Sequence, residues 1–366
     1  MKTGVLLVNL GTPDSPTPED VGRYLKEFLN DPYVIDIPAP LRWFLVNVLI
    51  IPRRKYKSAE AYKTIWGERG SPLKYHLEDL VSSLRSHKPI EMAMRYGSPS
   101  IASGLKRLRE QGVTRLVLVP LYPQYAESST RSTMDEADRA LGEMGWKPEL
   151  KTVRNFFADK GHARAWADLL IDELSDNLDK LDTRRMHVLF SYHGLPERHL
   201  LKAEAEVGGR VCLDGGTLDR EESRLRKYEC CEKAVAKSLP CLQTCYRAQS
   251  LATTKEIVQA LRERGHELKD GTYSMSFQSR LGRTPWIRPY TDDEITRLAK
   301  SGVEHLVVIT PSFVADCLET IEEIGDRARR QFLDAGGKEF SRVSCLNAHP
   351  KWVSALSDII GRSVVE

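Results

Sequence analysis

Eight strand-like apolar runs alternate with amphipathic segments along this chain, and they form two matching sets of four. The first set is 3–10, 89–96, 114–121 and 150–153; the second is 186–192, 272–278, 305–311 and 341–345. Corresponding runs begin 183, 183, 191 and 191 residues apart. Helical periodicity fills the gaps, at 18–30, 100–110, 163–179, 254–264 and 316–332. Such alternation predicts an α/β chain with parallel sheets covered by helices on both faces. Two similar four-stranded halves explain the offsets better than one large sheet. They divide near residue 160, within a junction at about 155–180. A last helix from residue 350 could pack on either half.

Composition narrows the functions. The formal net charge of +3 over 366 residues excludes a strongly basic nucleic-acid binder and an acidic disordered tail. With 41% hydrophobic residues the chain can bury a sizeable core. No apolar run approaches the roughly 20 residues of a membrane span. Met1-Lys2-Thr3 runs straight into Val5-Leu6-Leu7-Val8, too short and poorly flanked for a signal peptide. A cytoplasmic protein is the expectation, with peripheral contact at the inner membrane left open.

Two segments interrupt the pattern. Residues 43–51 are largely apolar and are followed by Arg53, Arg54, Lys55 and Lys57. A buried helix with a solvated basic turn accounts for them; so does a lip dipping into a membrane interface, or a dimer contact. Monomer and homodimer both stay open. The other segment, 201–245, carries five of the seven cysteines: Cys212, Cys230, Cys231, Cys241 and Cys245. In a reducing compartment, crowded thiols point to a metal or cluster before a disulfide framework.

Ligands of doubly wound sheets bind at the carboxyl ends of the strands. The first strand ends in Asn9-Leu10-Gly11-Thr12-Pro13, without the G-x-G-x-x-G spacing of a dinucleotide site. The fifth delivers His193-Gly194-Leu195-Pro196, a histidine on a turn fixed by glycine and proline, able to accept protons near pH 7. Past the seventh strand, Asp316, Glu319 and Glu323 fall on one helical stripe, a path for a hard divalent cation. Acids in a first helical turn also arise simply from the helix dipole. Tyr62, Tyr96, Tyr122, Tyr125, Trp286, Arg54 and Arg95 complete the set. Half of these aromatics are expected to be plain core. The rest suit a large, flat, apolar ligand bearing carboxylates.

Taken in order, segments 6–13, Tyr62 with Gly70-Ser71-Pro72-Leu73, 120–125, 193–196, 278–291 and 311–323 resemble the ferrochelatase family, over nearly the whole chain. The resemblance implies two Rossmann-like, chelatase-type halves with a porphyrin between them. It implies insertion of Fe²⁺ into protoporphyrin IX, or coproporphyrin III in some lineages, with release of two protons. His193 matches the family's active-site histidine, Glu319 its paired glutamate, and Glu323 and Asp316 the acidic line that leads the substrate iron in. Arg54, Tyr62 and Ser71 match positions that contact the macrocycle or its propionates, and Trp286 lies in the tryptophan motif. At Cys317 some members carry histidine. Many members also hold a [2Fe–2S] cluster. Here Glu127 stands close to where a loop cysteine would fall, so the internal cysteines are the candidates. The preferred set is Cys212, one of Cys230 and Cys231, Cys241 and Cys245, with zinc or free thiols as alternatives. A cobalt or nickel chelatase is the runner-up, and a porphyrin carrier without chemistry the non-enzymatic reading.

Overall fold

A computed structural model describes residues 1–84, 88–177, 185–206, 229–282 and 284–365. The strands are β1 (Thr3–Thr12), β2 (Ile90–Gly97), β3 (Arg115–Pro120), β4 (Glu149–Thr152), β5 (Met186–His193), β6 (Tyr273–Gln278), β7 (His305–Ile309) and β8 (Glu339–Arg342). They form two separate four-stranded sheets, ordered β2-β1-β3-β4 and β6-β5-β7-β8, and every pairing is parallel. The strand order is the same in both. Central strands β1, β3, β5 and β7 are buried on both faces, as continuous Val/Leu/Ile runs require when helices cover a parallel sheet.

Gly11 shows how tightly β1 meets β2. It sits at φ +130°, and a Cβ there would lie 1.9 Å from the Tyr96 carbonyl oxygen. Only glycine permits this approach.

A helix and a strand illustrate how elements depart from the sequence expectation. The helix expected at 254–264 begins earlier, at Tyr246, and runs to Arg262. Twelve of its residues are buried, Arg247, Gln249 and Ser250 included, so no one-sided apolar stripe marks its first two turns. Strand β8 lies two residues upstream of the expected run. The Lys338 and Glu339 amides both donate to the Glu304 carbonyl, which starts β8 beside β7 at Glu339.

The largest core cluster joins both sheets. It includes Val5, Leu7 and Val117 from one, Val188, Phe190 and Val307 from the other, and Trp166 and Trp352 between helices. Trp166 belongs to the helix Lys160–Asn177, which packs on both Tyr246–Arg262 and the last helix, Pro350–Val365. That last helix also packs on the helix Pro72–Leu84 and on β3 and β4.

Candidate active site

The carboxyl ends of the two sheets open on one cleft of about 420 Å³, within the range of small-molecule sites. The N-terminal half contributes Asn9, Leu10, Phe28, Val34, Ile35, Arg54, Leu73, Leu121 and Tyr122. The C-terminal half contributes His193, Leu195, His199, Tyr246, Ser279, Trp286, Phe313, Glu319, Glu323 and Arg327 among others. The lining is mainly apolar and aromatic, with charge confined to a few places.

His193 closes β5. Its ring Nδ1 lies 2.7 Å from the Gly194 carbonyl oxygen. A carbonyl only accepts, so Nδ1 carries the proton and donates it. In the neutral ring the lone pair is therefore on Nε2. The His193 amide donates to Ser312 Oγ at 3.0 Å, and the Gly194 amide donates to the Gln278 carbonyl at 2.8 Å. A Cβ on Gly194 would come within 2.7 Å of that same carbonyl and 3.3 Å of the Trp286 ring, so glycine is needed for this turn. Residues 195–197 then pair with 285–287 through Ile287 N to Leu195 O and Glu197 N to Pro285 O, each 3.0 Å. This bracing sets Trp286 beside the histidine turn.

Glu319 and Glu323 rise from a different kind of helix than their spacing suggested. Residues Glu319–Ala328 form a π-helix with i→i+5 bonding, continued by an α-helical turn, Arg329–Asp334. π-Geometry is uncommon and concentrates at functional sites. It brings Glu319, Glu323 and Arg327 together along the cleft wall. Gln278 Nε2 donates to the Glu319 carbonyl at 3.1 Å, while Gln278 Oε1 accepts from Ser191 Oγ at 2.7 Å, which ties the π-helix to the sheet. Glu323 accepts from the Ser279 amide and hydroxyl at 3.0 and 2.6 Å. Burial raises the Glu323 carboxyl above its ordinary pKa, against the lowering pull of Ser279 and Arg327.

Asp316 is not part of this line. It precedes the π-helix, is 5% exposed, and does not line the cleft. Its carboxylate accepts from Arg342 Nη1 at 2.7 Å, Thr320 Oγ1 at 2.9 Å, Asn347 Nδ2 at 2.9 Å and the Cys345 amide at 3.3 Å. Burial alone would push its pKa up, but Arg342, Asn347 and Thr320 outweigh it and hold the carboxyl below the usual value. Both Asp316 oxygens, expected on the iron path, are thus engaged by neighbouring protein groups away from the cleft lining.

The aromatic and cationic candidates divide. Arg54, Tyr122 and Trp286 line the cleft. Burial lowers the Arg54 pKa and the Glu319 carboxylate opposes that shift, which puts the two side chains in electrostatic reach across the halves. Tyr62 and Ser71 are 7% and 3% exposed and sit behind the wall. Thr12 Oγ1 donates to Ser71 Oγ at 2.7 Å. Burial, then the charge of Glu319, pushes the Tyr62 hydroxyl up. Tyr96, Tyr125 and Arg95 do not line the cleft. Tyr96 and Tyr125 are fully buried, and Tyr96 Oη donates to Asp31 at 2.8 Å. Arg95 pairs with the same carboxylate at 2.6 Å. Asp31 in turn fixes the loop that brings Val34 and Ile35 to the cleft, with Tyr33 N donating to Asp31 Oδ1 at 2.7 Å.

Sequence reasoning missed Tyr24, His199, Tyr246, Ser279, Ser312 and Arg327. Tyr24 is hydrogen-bonded to Tyr62 and feels the Glu319 charge. Its signal was hidden because it lies on an ordinary amphipathic helix, Pro18–Leu29. Ser312 follows the seventh strand and was available in the sequence as a small hydroxyl at a strand end.

Of the cysteine candidates, Cys212 lies outside the described residues. Cys231, Cys241 and Cys245 are buried and Cys230 half-buried, all in one corner of the shared core. The Cys230 and Cys231 sulfurs are 3.9 Å apart, and the Cys231 thiol bonds with Cys230 and Cys245. None of the four lines the cleft. Among the described residues no group of three or more His, Cys, Asp or Glu side chains converges to hold a single metal ion. The apolar run near residue 43 belongs to one continuous helical stretch, Ala39–Phe44, Leu45–Ile50 and Ile51–Ile65, with π-geometry in the middle. Of the readings left open for it, a buried helix does not hold: Leu41, Trp43, Phe44, Val48 and Leu49 are 44–61% exposed, and within 43–51 only Val46 is buried. No helix among the described residues is long and apolar enough to cross a membrane.

Two like-ordered parallel sheets facing one apolar cleft, with an imidazole on one wall and carboxylates beside it, define a chelatase-fold protein. SirB from Bacillus subtilis, solved with Fe³⁺, shares this fold with a TM-score of 0.52 over 99% of this chain and 96% of its own, at 12% identity. The ferrochelatase family model matches residues 2–364. Ferrochelatases of Azotobacter vinelandii and Stutzerimonas stutzeri are 45% and 42% identical over 358 and 362 residues, covering 97% and 98% of this chain and 97% of each relative. The chain belongs to the ferrochelatase family and is a porphyrin metal chelatase.

Proposed function

We propose that this enzyme inserts Fe²⁺ into protoporphyrin IX in the cleft between its halves, with His193 and Glu319 as the working pair. The observation that carries this reading is the Nδ1–H bond of His193 to Gly194, which leaves Nε2 as the basic nitrogen of the neutral ring. Insertion breaks two pyrrole N–H bonds and forms four Fe–N bonds, so two protons must leave. His193 Nε2 accepts the first from the macrocycle. Glu319, near Arg54, Tyr24 and Tyr62, completes the acid/base pair. Glu323 and Arg327 extend the polar wall away from it, a route for the incoming cation or the departing protons. Apolar walls exclude water and hold the ring in a shape part-way to the transition state. Anaerobic incubation with Fe²⁺ and either protoporphyrin IX or coproporphyrin III tests the substrate: faster haem formation from protoporphyrin IX is expected. Preferential turnover of coproporphyrin III would reassign it, and binding without haem would make the protein a carrier.

The exposed apolar face favours the less polar porphyrin. Trp43, Phe44 and Leu41, with Arg53 and Lys57 exposed nearby, suit peripheral contact with an anionic cytoplasmic membrane surface. Replacing Trp43 and Phe44 with serine should release the protein from anionic vesicles in sedimentation; unchanged binding would discount the lip.

The cysteine corner fits a [2Fe–2S] group in its donor chemistry. The Cys231 thiol bonds with those of Cys230 and Cys245, the Cys245 amide donates to the Cys241 carbonyl at 2.7 Å, and the fully buried Arg247 guanidinium lies in reach of Cys231. Soft thiolates beside a buried cation suit an anionic iron–sulfur centre. Such a group would supply structural support or redox sensing away from the cleft. Visible iron–sulfur absorption and stoichiometric acid-labile sulfide are expected in protein purified anaerobically, and both should vanish in Cys241→Ser. Wild-type protein lacking both signals would remove the cluster.

A further inference from the structure

One acidic side chain joins the two halves at the edge of the cleft. Asp36 lies on the loop between Pro18–Leu29 and Ala39–Phe44, directly after the lining residues Val34 and Ile35. Its carboxylate is 11% exposed and meets three side chains of the helix Glu197–Glu206, the helix that follows the His193 turn. Arg198 Nη2 stands 2.5 Å from Oδ1, Lys202 Nζ bonds Oδ2, and His199 Nε2 lies 3.8 Å from Oδ1. Arg198 and Lys202 are 40% and 52% exposed, so either could be solvated without Asp36. His199 is 6% exposed and itself lines the cleft, with Leu195 and Pro196.

These contacts have a direction. The helix Glu197–Glu206 is attached to His193 through only three residues, and its N-terminal turn is braced on one side by the Trp286 segment. Asp36 braces its other side against the lip wall. Exposed ion pairs contribute little to stability, yet here one nearly buried carboxylate holds two cations of the opposite wall, next to the cleft-lining His199. Positioning, and not folding, is the expected consequence.

We propose that Asp36 is a positioning residue: through Arg198 and Lys202 it clamps the lip wall to the helix behind His193 and so sets the width of the cleft around the macrocycle. The clamp rests on the reading of the cleft as the porphyrin site. Asp36→Asn should raise the KM for porphyrin about tenfold, or about 1.4 kcal/mol, with a smaller change in kcat and a Tm within a few degrees of wild type. Asp36→Glu, which keeps the charge, should recover most of the affinity. The paired variant Arg198→Gln with Lys202→Gln should match Asp36→Asn, and the triple variant should be no worse than either, because all remove one interaction. Wild-type KM in Asp36→Asn, no rescue by glutamate, or additive losses in the triple variant would overturn the clamp. Failure of the wild-type enzyme itself to metallate porphyrin would instead overturn the reading on which the clamp rests.

Discussion

His193→Ala is expected to lose haem formation by about 10²–10⁴-fold, the usual weight of one positioned acid/base group, while its porphyrin binding stays close to wild type. In the apolar lining the imidazole meets the Phe313 ring, with centroids 6.1 Å apart. His193 makes one ring hydrogen bond, to its own neighbour Gly194, so removing it leaves the Ser312 and Gln278 backbone anchors in place. What disappears is the Nε2 lone pair. Without it, the first pyrrole proton has no positioned acceptor on that wall. Stopped-flow metallation and porphyrin fluorescence titration read the two quantities separately. Near-normal insertion by the variant would remove His193 from the chemistry.

Asp316→Ala should cost about 3 kcal/mol of folding stability, the lower end of what is lost when one partner of a buried ion pair is removed. Arg342, 24% exposed, can recover some hydration, but Thr320, Asn347 and the Cys345 amide lose a shared acceptor. That cluster joins the segment after β7 to the strand-end residues after β8, just where the π-helix begins. Denaturant unfolding gives the stability, and the KM for Fe²⁺ measured on the folded fraction gives the other half of the test. A stable variant with a strongly raised KM for Fe²⁺ would return Asp316 to the metal path.

The contrast between Asp316 and Glu323 shows what the sequence could and could not reveal. Both are acids within a few residues of Glu319. Spacing put all three on one stripe, since helical periodicity was the only ruler available. The π-helix changes the ruler, and the Arg342–Asn347 pair, remote in sequence, captures Asp316. Strands were legible because continuous Val/Leu/Ile runs bounded by turns have few other uses. The helix at Tyr246 was not legible at its start, because burial on all sides erases amphipathic patterning. Likewise Tyr96, Tyr122 and Tyr125 carry the same side chain at neighbouring strand ends. Only the three-dimensional course of the chain turns Tyr122 into the cleft and leaves the other two in the core.

Metal insertion by this chain, as opposed to mere porphyrin binding, is tested most directly by counting protons. Wild-type enzyme, anaerobic Fe²⁺ and protoporphyrin IX in weak buffer with a pH indicator should release two protons for each haem seen in the absorption spectrum. Porphyrin bound with neither haem nor proton release would contradict the chelatase chemistry assigned to the cleft.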